Sequence, residues 1–338
     1  MGKQEIRQAL NKIDITCVVK EHKLNAGKNE DGKYINGNLV VKAGEFTELT
    51  VKVFVKEHNS KGKVKKSYEA LNKILKGEAK TMAEVSEEEA VKIRFWGNDG
   101  FTPHFKEEIF KPENSTEAVT NVVVDLGFGN VTIDDKIKPE DYEAKFDVEV
   151  FVESVTEEID KTTEEETGRV IVKGWCPVYG GSVIPLEIKV GIVEDEEGEF
   201  DFAEDIRNSV DPETTVNFWG NIDFKAIVEK KSKGGSMGRA KVDKKTTYIH
   251  DLVAIGADFI EGEDEYEVED IQQARVEREN KKQEVGDKSD SGGKSSSGAA
   301  GGASNRRSSR LNRNKTTSKT DSTSKANKSK EEDDDIPF

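Results

Sequence analysis

The chain has 338 residues, with 52 Lys or Arg against 68 Asp or Glu, a formal net charge of −16, and 36% charged against 33% hydrophobic residues. That length accommodates two domains of ordinary size, and that composition leaves part of the chain too poor in apolar residues to fold. Residues 281–330 hold 13 basic and 4 acidic residues and the last eight hold five acidic ones, which leaves −20 on residues 1–280; a uniformly basic body is excluded, and any nucleic-acid surface must be a local groove on an acidic one.

The two cysteines, Cys17 and Cys176, have no metal-ligand spacing, and the four histidines form no cluster. Both thiols are expected to be reduced and buried. No signal peptide is read ahead of the first strand and no apolar run is long enough to span a membrane, so the expectation is a cytoplasmic chain with no membrane partner.

Residues 3–12 read as a short helix or arm. At 13–21, Ile15, Cys17 and Val19 alternate with polar neighbours, which predicts a half-buried strand. Residues 25–32 read as a polar loop. Strands follow at 38–43 and 49–56, the latter with Val51, Val53 and Val55 on one face. Lys52, Phe54 and Lys56 share the other face, where cations flanking an aromatic suit a single-stranded nucleic acid; a solvated face with one aromatic gives the same pattern. Tyr68, Leu71, Ile74 and Leu75 have helical spacing. Strands are predicted at 91–96, 120–126 and 131–133.

The second half repeats this plan. Residues 146–153 answer 13–20, residues 168–173 answer 37–42, and residues 185–193 loosely answer 49–56. Phe218, Trp219, Gly220 and Asn221 repeat Phe95, Trp96, Gly97 and Asn98 without change. Several segments in one order at nearly one separation point to an internal duplication. Each unit is mostly short strands with one helix, which suits a small closed barrel because closure removes exposed edges. Each Phe-Trp-Gly-Asn reads as a strand end. Adjacent strand residues point to opposite faces, so one aromatic of each pair enters the core, and Trp96 and Trp219 are expected to face outward as base platforms. Lys173, Trp175 and Tyr179 are further candidates on the second unit. Residues 230–241 form the most basic loop of the folded part, and Lys230, Lys231, Lys233, Arg239 and Lys241 are its candidate phosphate contacts.

Residues 266–280 read as a helix packed on the second unit. Beyond Gly286 the chain is Ser, Gly, Asn, Lys and Arg, and disorder is expected. It ends on Glu331, Glu332, Asp333, Asp334, Asp335, Ile336, Pro337 and Phe338, an acidic stalk with an apolar tip. A basic socket with an apolar floor would capture these features together.

This ending, on a basic tail, resembles the C-terminal tip of bacterial and bacteriophage single-stranded DNA-binding proteins, and the paired Trp-Gly motifs extend the resemblance weakly into the body. Together with the duplication, the resemblance implies a mainly β protein with two tandem OB-like barrels at 1–140 and 141–280, a disordered basic linker at 281–330 and a partner-docking tip at 331–338. It further implies sequence-nonspecific binding of single-stranded DNA in replication, recombination and repair. The tip, Asp333 to Phe338, would recruit a helicase, primase, polymerase or nuclease, and homo-oligomers are among the expectations. Two modules per chain depart from the usual one. No catalytic constellation and no cofactor motif stand out, and no enzyme is expected. A recombination mediator or adaptor with weak DNA binding, and a metal-dependent nuclease using carboxylates such as Asp134 and Asp135, are the alternatives.

Overall fold

The computed structural model describes residues 6–97, 102–112, 115, 117–160, 163–195, 198–233 and 241–290, with backbone alone at 195, 224–233, 241–250 and 288–290. β-Branched and aromatic residues alternating with polar ones build its strands. The first half runs β1 (Asn11–Asn29), β2 (Gly32–Lys42), β3 (Glu48–Lys56), α1 (Lys66–Leu75), β4 (Lys92–Trp96), β5 (His104–Phe110), β6 (Val119–Asp125) and β7 (Asn130–Ile133). The second runs β8 (Glu143–Ile159), β9 (Glu166–Val178), β10 (Ser182–Val190), a small hairpin β11 (Ile192–Asp195) and β12 (Gly198–Asp201), then α2 (Phe202–Ser209), β13 (Thr215–Lys233), β14 (Lys241–Phe259) and α3 (Val268–Asp290). The protein is mainly β.

Pairing returns on itself in each half. In the second, β8 pairs with β9, β9 with β10, β10 in parallel with β14, β14 with β13, and β13 with β8. In the first, β1 pairs with β2, β2 with β3, and β3 in parallel with β6 at Val51–Val124. The chain then turns through residues 126–129 into β7, which pairs with β4, and β4 pairs with β1. α1 falls between β3 and β4 as α2 falls between β10 and β13. Ser67 of α1 accepts a hydrogen bond from the Val131 amide at 3.0 Å, which fixes the helix against β7. Asp201 caps α2 by accepting from the Glu204 amide.

One antiparallel seam joins the halves, from Asn11–Val148 to Thr16–Glu143 between β1 and β8. Ile13 and Phe146 face each other across it, both buried. The core continues through Ile15, Phe95, Val148 and Phe218.

Four features differ from the sequence reading. The stretch 25–32 is mostly strand, because β1 runs to Asn29 and pairs there with Gly32; the ladder satisfies backbone groups whatever the side chains are. β5 was not foreseen: its Phe105 is buried, and the Phe105 backbone exchanges two hydrogen bonds of 2.9 Å with the Asn11 side chain. α3 runs to Asp290, past Gly286. Phe218 to Asn221 is no strand end; it lies inside β13, with a bulge between Trp219 and Gly220. A Cβ on Gly220 would sit 2.0 Å from the Val253 carbonyl oxygen, so glycine here serves close strand approach rather than chain exit.

Gly37 and Gly32 allow a test of local backbone demand. Both have positive φ, but a Cβ on Gly37 would also lie 2.0 Å from the Lys23 carbonyl oxygen, while Gly32 faces open space. Gly32→Ala should cost about 1 kcal/mol and Gly37→Ala about 2–3 kcal/mol or more, read from urea unfolding midpoints at constant slope. Equal losses would show that the clash relaxes freely.

Candidate nucleic-acid interface

The outward side of β3 carries Lys52, Phe54 and Lys56, with Val51, Val53 and Val55 buried behind them. Phe54 is 48% exposed. Its ring centroid lies 5.1 Å from that of Tyr34 on β2, tilted by 31°. Tyr34 lies over Gly27 of β1, where a Cβ would fall 2.4 Å from the phenol ring. Gly27 therefore makes room for an aromatic pair on the surface. By register, Asn36 stands opposite Phe54 and Asn25 opposite Asn36; Asn38 stands opposite Lys52 and Lys23 opposite Asn38. Lys23, Asn25 and Asn36 are exposed, and Lys23 makes no ion pair among the described residues. Cations, amides and two adjacent rings thus share one patch. Sequence reading found its β3 row and missed Tyr34, Asn25 and Asn36. The signal was present in Tyr34 and Asn36, one residue either side of a buried Ile35, but the loop was read at 25–32 and the strand only from 38.

The patch is electrostatically restrained. Lys56 donates to Asp31 at 2.8 Å, and Lys52 is paired with Glu108 of β5. The hydrogen bond from Lys56 holds the Asp31 carboxyl below its usual range, with the nearby charge adding to it. A phosphate must displace these carboxylates to reach the two lysines.

The tryptophans lie elsewhere. Phe95 and Phe218 are fully buried, while Trp96 and Trp219 are half-buried on the opposite face of their strands. Trp96 donates from Nε1 to Thr132 Oγ1 at 3.0 Å. Trp219 packs over Gly256, where a Cβ would fall 2.3 Å from the indole. Trp219 stands opposite Asp147, and Asp147 opposite Lys12 across the seam. Both tryptophans therefore sit on one outward face of a continuous sheet, three strand spacings or about 14 Å apart across it and two residues apart along it. Between them Lys12 pairs with Asp14 at 3.0 Å and Lys145 with Glu143 at 2.6 Å. A register shift in β1 between Val19 and Glu21 separates this face from the Tyr34 patch.

The second half treats its own outward face differently. Lys189 lies between Glu158 at 2.7 Å and Asp251 at 2.6 Å. Burial opposes the Lys189 charge, but the hydrogen bonds to the two carboxylates outweigh it and raise its pKa. Arg169 also bonds Glu158 at 2.6 Å. Trp175 is covered by α3, with the Arg275 guanidinium 4.6 Å from its ring centroid. Lys173 is exposed and 3.6 Å from Glu187. Tyr179, in the turn after β9, is 87% exposed. Its counterpart in the turn after β2 is Phe46, 66% exposed and missed from sequence; a lone large aromatic between Gly44 and Thr47 was its signal.

The basic stretch at 230–241 begins and ends on a ribbon, with residues 234–240 outside the described residues. Lys230, Lys231 and Lys233 belong to β13 and Lys241 to β14, while Arg239 lies outside the described residues. Cross-strand β-formers, Ile227 opposite Thr247 and Val228 opposite Thr246, extend the ladder. β13 pairs with β8 only as far as Asn221, and β14 with β10 only from Leu252 to Ala254. From Asp223–Asp251 to Lys233–Lys241 the two strands pair with each other alone. Residues 224–250 carry eight Lys or Arg against Glu229 and Asp243, a net +6 on an otherwise acidic body. The acidic tip, Asp333 to Phe338, lies outside the described residues. Asp134 and Asp135 sit in the turn after β7, where Asp134 accepts from the Lys136 amide at 3.0 Å.

The chain belongs to the YorF family, whose model matches residues 9–288. No curated protein matches it. Among solved structures it is similar to a deletion mutant of the single-stranded DNA binding protein from Thermus aquaticus, at 8% identity and a TM-score of 0.42, over 78% of this chain and 98% of that one. The wild-type form of that protein is matched at 9% identity and a TM-score of 0.40, over 76% and 95% of the two chains. A Replication Protein A heterotrimer bound to ssDNA is matched at 11% identity and a TM-score of 0.17, over 84% of this chain and 54% of that one.

Proposed function

We propose that this member of the YorF family binds single-stranded DNA without base-specific readout. The observation that carries the reading is the Tyr34–Phe54 pair, seated over Gly27 and flanked by Lys23, Asn25, Asn36, Lys52 and Lys56. Every base has a π-face, so stacking on such a pair tolerates sequence, and neighbouring cations take the backbone charge. The returning strand order of each half supports two OB-like barrels, at 1–140 and 141–280. The ribbon of β13 and β14, with Lys230, Lys231, Lys233 and Lys241, is the phosphate-tracking arm. Trp96, Trp219, Lys173 and Tyr179 supply further contacts. No catalysis is assigned.

On this reading the protein coats single strands during replication, recombination and repair in the cytoplasm, a host cytoplasm if the chain is phage-encoded. The tip from Asp333 to Phe338 docks helicase, primase, polymerase or nuclease partners, with Ile336 and Phe338 filling an apolar pocket beside cations. A recombination mediator with weak DNA binding is the second reading. It is favoured by the carboxylates of Asp31 and Glu108, which already occupy the lysines of β3.

Titration of labelled oligonucleotides at two salt concentrations tests the first reading. Affinity for unstructured single strands should exceed that for duplex and fall with salt. Tyr34→Ala and Phe54→Ala should each weaken binding by about 1–3 kcal/mol. Equal affinity for duplex and single strand, or wild-type binding by both folded variants, would overturn it.

The paired carboxylates give a prediction of opposite sign. Asp31→Asn and Glu108→Gln free Lys56 and Lys52, so each should tighten single-strand binding several-fold and steepen its salt dependence. Unchanged affinity in both variants would place the phosphate path away from β3.

For the tip, removal of Asp333 to Phe338 should abolish recovery of replication proteins from lysate and leave DNA binding intact or stronger, because a polyanionic competitor is lost. Phe338→Ala should lose partners while keeping most of the charge effect. Recovery of the same proteins by intact, substituted and truncated chains would reduce the tip to a solubilising tail.

A further inference from the structure

We infer that α3 occupies a second base-stacking site, the outward face of Trp175 on β9, and gives it up to single-stranded DNA. The inference rests on the single-strand reading above. Trp175 stands opposite Phe151 on β8 and Pro185 on β10, so an indole lies across three strands of the second half. The Arg275 guanidinium lies 4.6 Å from its ring centroid and that of Arg278 5.5 Å. A planar guanidinium on an indole uses the face, and the attraction, that a nucleobase uses. In the first half the outward Phe54 is open, 48% exposed beside Tyr34.

The attachment of α3 is mainly ionic here. Arg278 makes two bonds to Glu107 of β5, at 2.5 and 2.7 Å, with both side chains nearly buried. Arg275 pairs with Glu153 at 2.9 Å, half-exposed on both sides. Apolar anchorage is confined to the N-terminal part of the helix, at Ile271 and Ala274, and Val276 faces outward. Trp175 Nε1 is also buried with no hydrogen-bond partner among the described residues, a donor that costs stability while it stays unpaired.

An incoming strand supplies replacements for each of these contacts. Its phosphates offer Arg275 and Arg278 anions in place of Glu153 and Glu107, and a base takes the indole. The exchange leaves Glu107 and Glu153 without their arginines, and water takes up both carboxylates as the helix lifts away. β5 links the two sites, because Glu107 holds Arg278 while the adjacent Glu108 holds Lys52 of the open patch.

Hydrogen–deuterium exchange of the full chain tests this in two arms. Without DNA, Glu107→Gln should raise exchange of α3 amides about tenfold or more and leave β1 to β3 unchanged, because a buried arginine loses its ionic partner. Arg275→Lys, which keeps the charge but loses the planar stack, should raise it as well and guards against misfolding of the first variant. An unchanged α3 in both variants overturns the ionic latch. With DNA, an oligothymidylate long enough to span both halves should protect β2 and β3 while raising exchange in α3, and a short one should protect β2 and β3 only. Protection of β2 and β3 with α3 unchanged or more protected makes the helix a fixed strap: the inference falls and the single-strand reading stands. If the oligothymidylate neither binds nor protects any segment, the single-strand reading falls and takes the inference with it.

Discussion

The seam between β1 and β8 is where both halves of the molecule depend on one set of hydrogen bonds. β1 is the strand on which the first half closes, through β2 on one side and β4 on the other, and β8 does the same for the second half through β9 and β13. Each is long enough to serve its own half with one stretch and the other half with another. The cost of this economy is that side-chain phase is shared. A slip of one residue at Ile13–Phe146 would turn both core faces outward together, because strand side chains alternate. The buried run from Ile13 to Phe95 on one side and Val148 to Phe218 on the other holds that phase.

From that seam the two outward surfaces diverge. The first half leaves an aromatic pair open on β2 and β3. The second fills the corresponding strands with a charge network around Lys189 and lays α3 over Trp175. Duplicated sequence therefore does not mean duplicated surface. The core positions repeat because packing constrains them, and the outward positions, free of that constraint, have separated into an open platform and a covered one.

Much of the fold was legible because its signals are local. Alternation at 49–56 and 146–153 marked β3 and β8, helical spacing of Tyr68, Leu71 and Ile74 marked α1, and the two Phe-Trp-Gly-Asn runs marked equivalent strands. What escaped depended on distant partners. β5 is held by Phe105 in the core and by Asn11, far away in sequence. The β1–β2 hairpin looks like a polar loop because its ladder, not its side chains, keeps it extended. The aromatic patch was half visible: Phe54 was flagged on its own strand, but Tyr34 acquires meaning only when pairing sets it over Gly27 and beside that ring. Trp175 was a candidate contact and residues 266–280 a helix on the second unit, but nothing local to either shows that the helix lays two arginines on that indole.

The ribbon of β13 and β14 has a consequence for the behaviour of the protein in concentrated solution. Beyond Asn221 on β13 and before Leu252 on β14 it presents two long edges of backbone groups that no third strand pairs among the described residues, the template on which β-proteins join edge to edge. Its net charge of +6 makes a second ribbon the least suitable neighbour, since like charges meet as the edges approach. The charge that suits the arm to a polyanion also keeps copies of the chain apart. That guard is only as long as the Debye length, about 10 Å at 0.1 M salt and about 3 Å at 1 M, so strong salt weakens the repulsion that blocks self-pairing as well as the attraction for a nucleic acid.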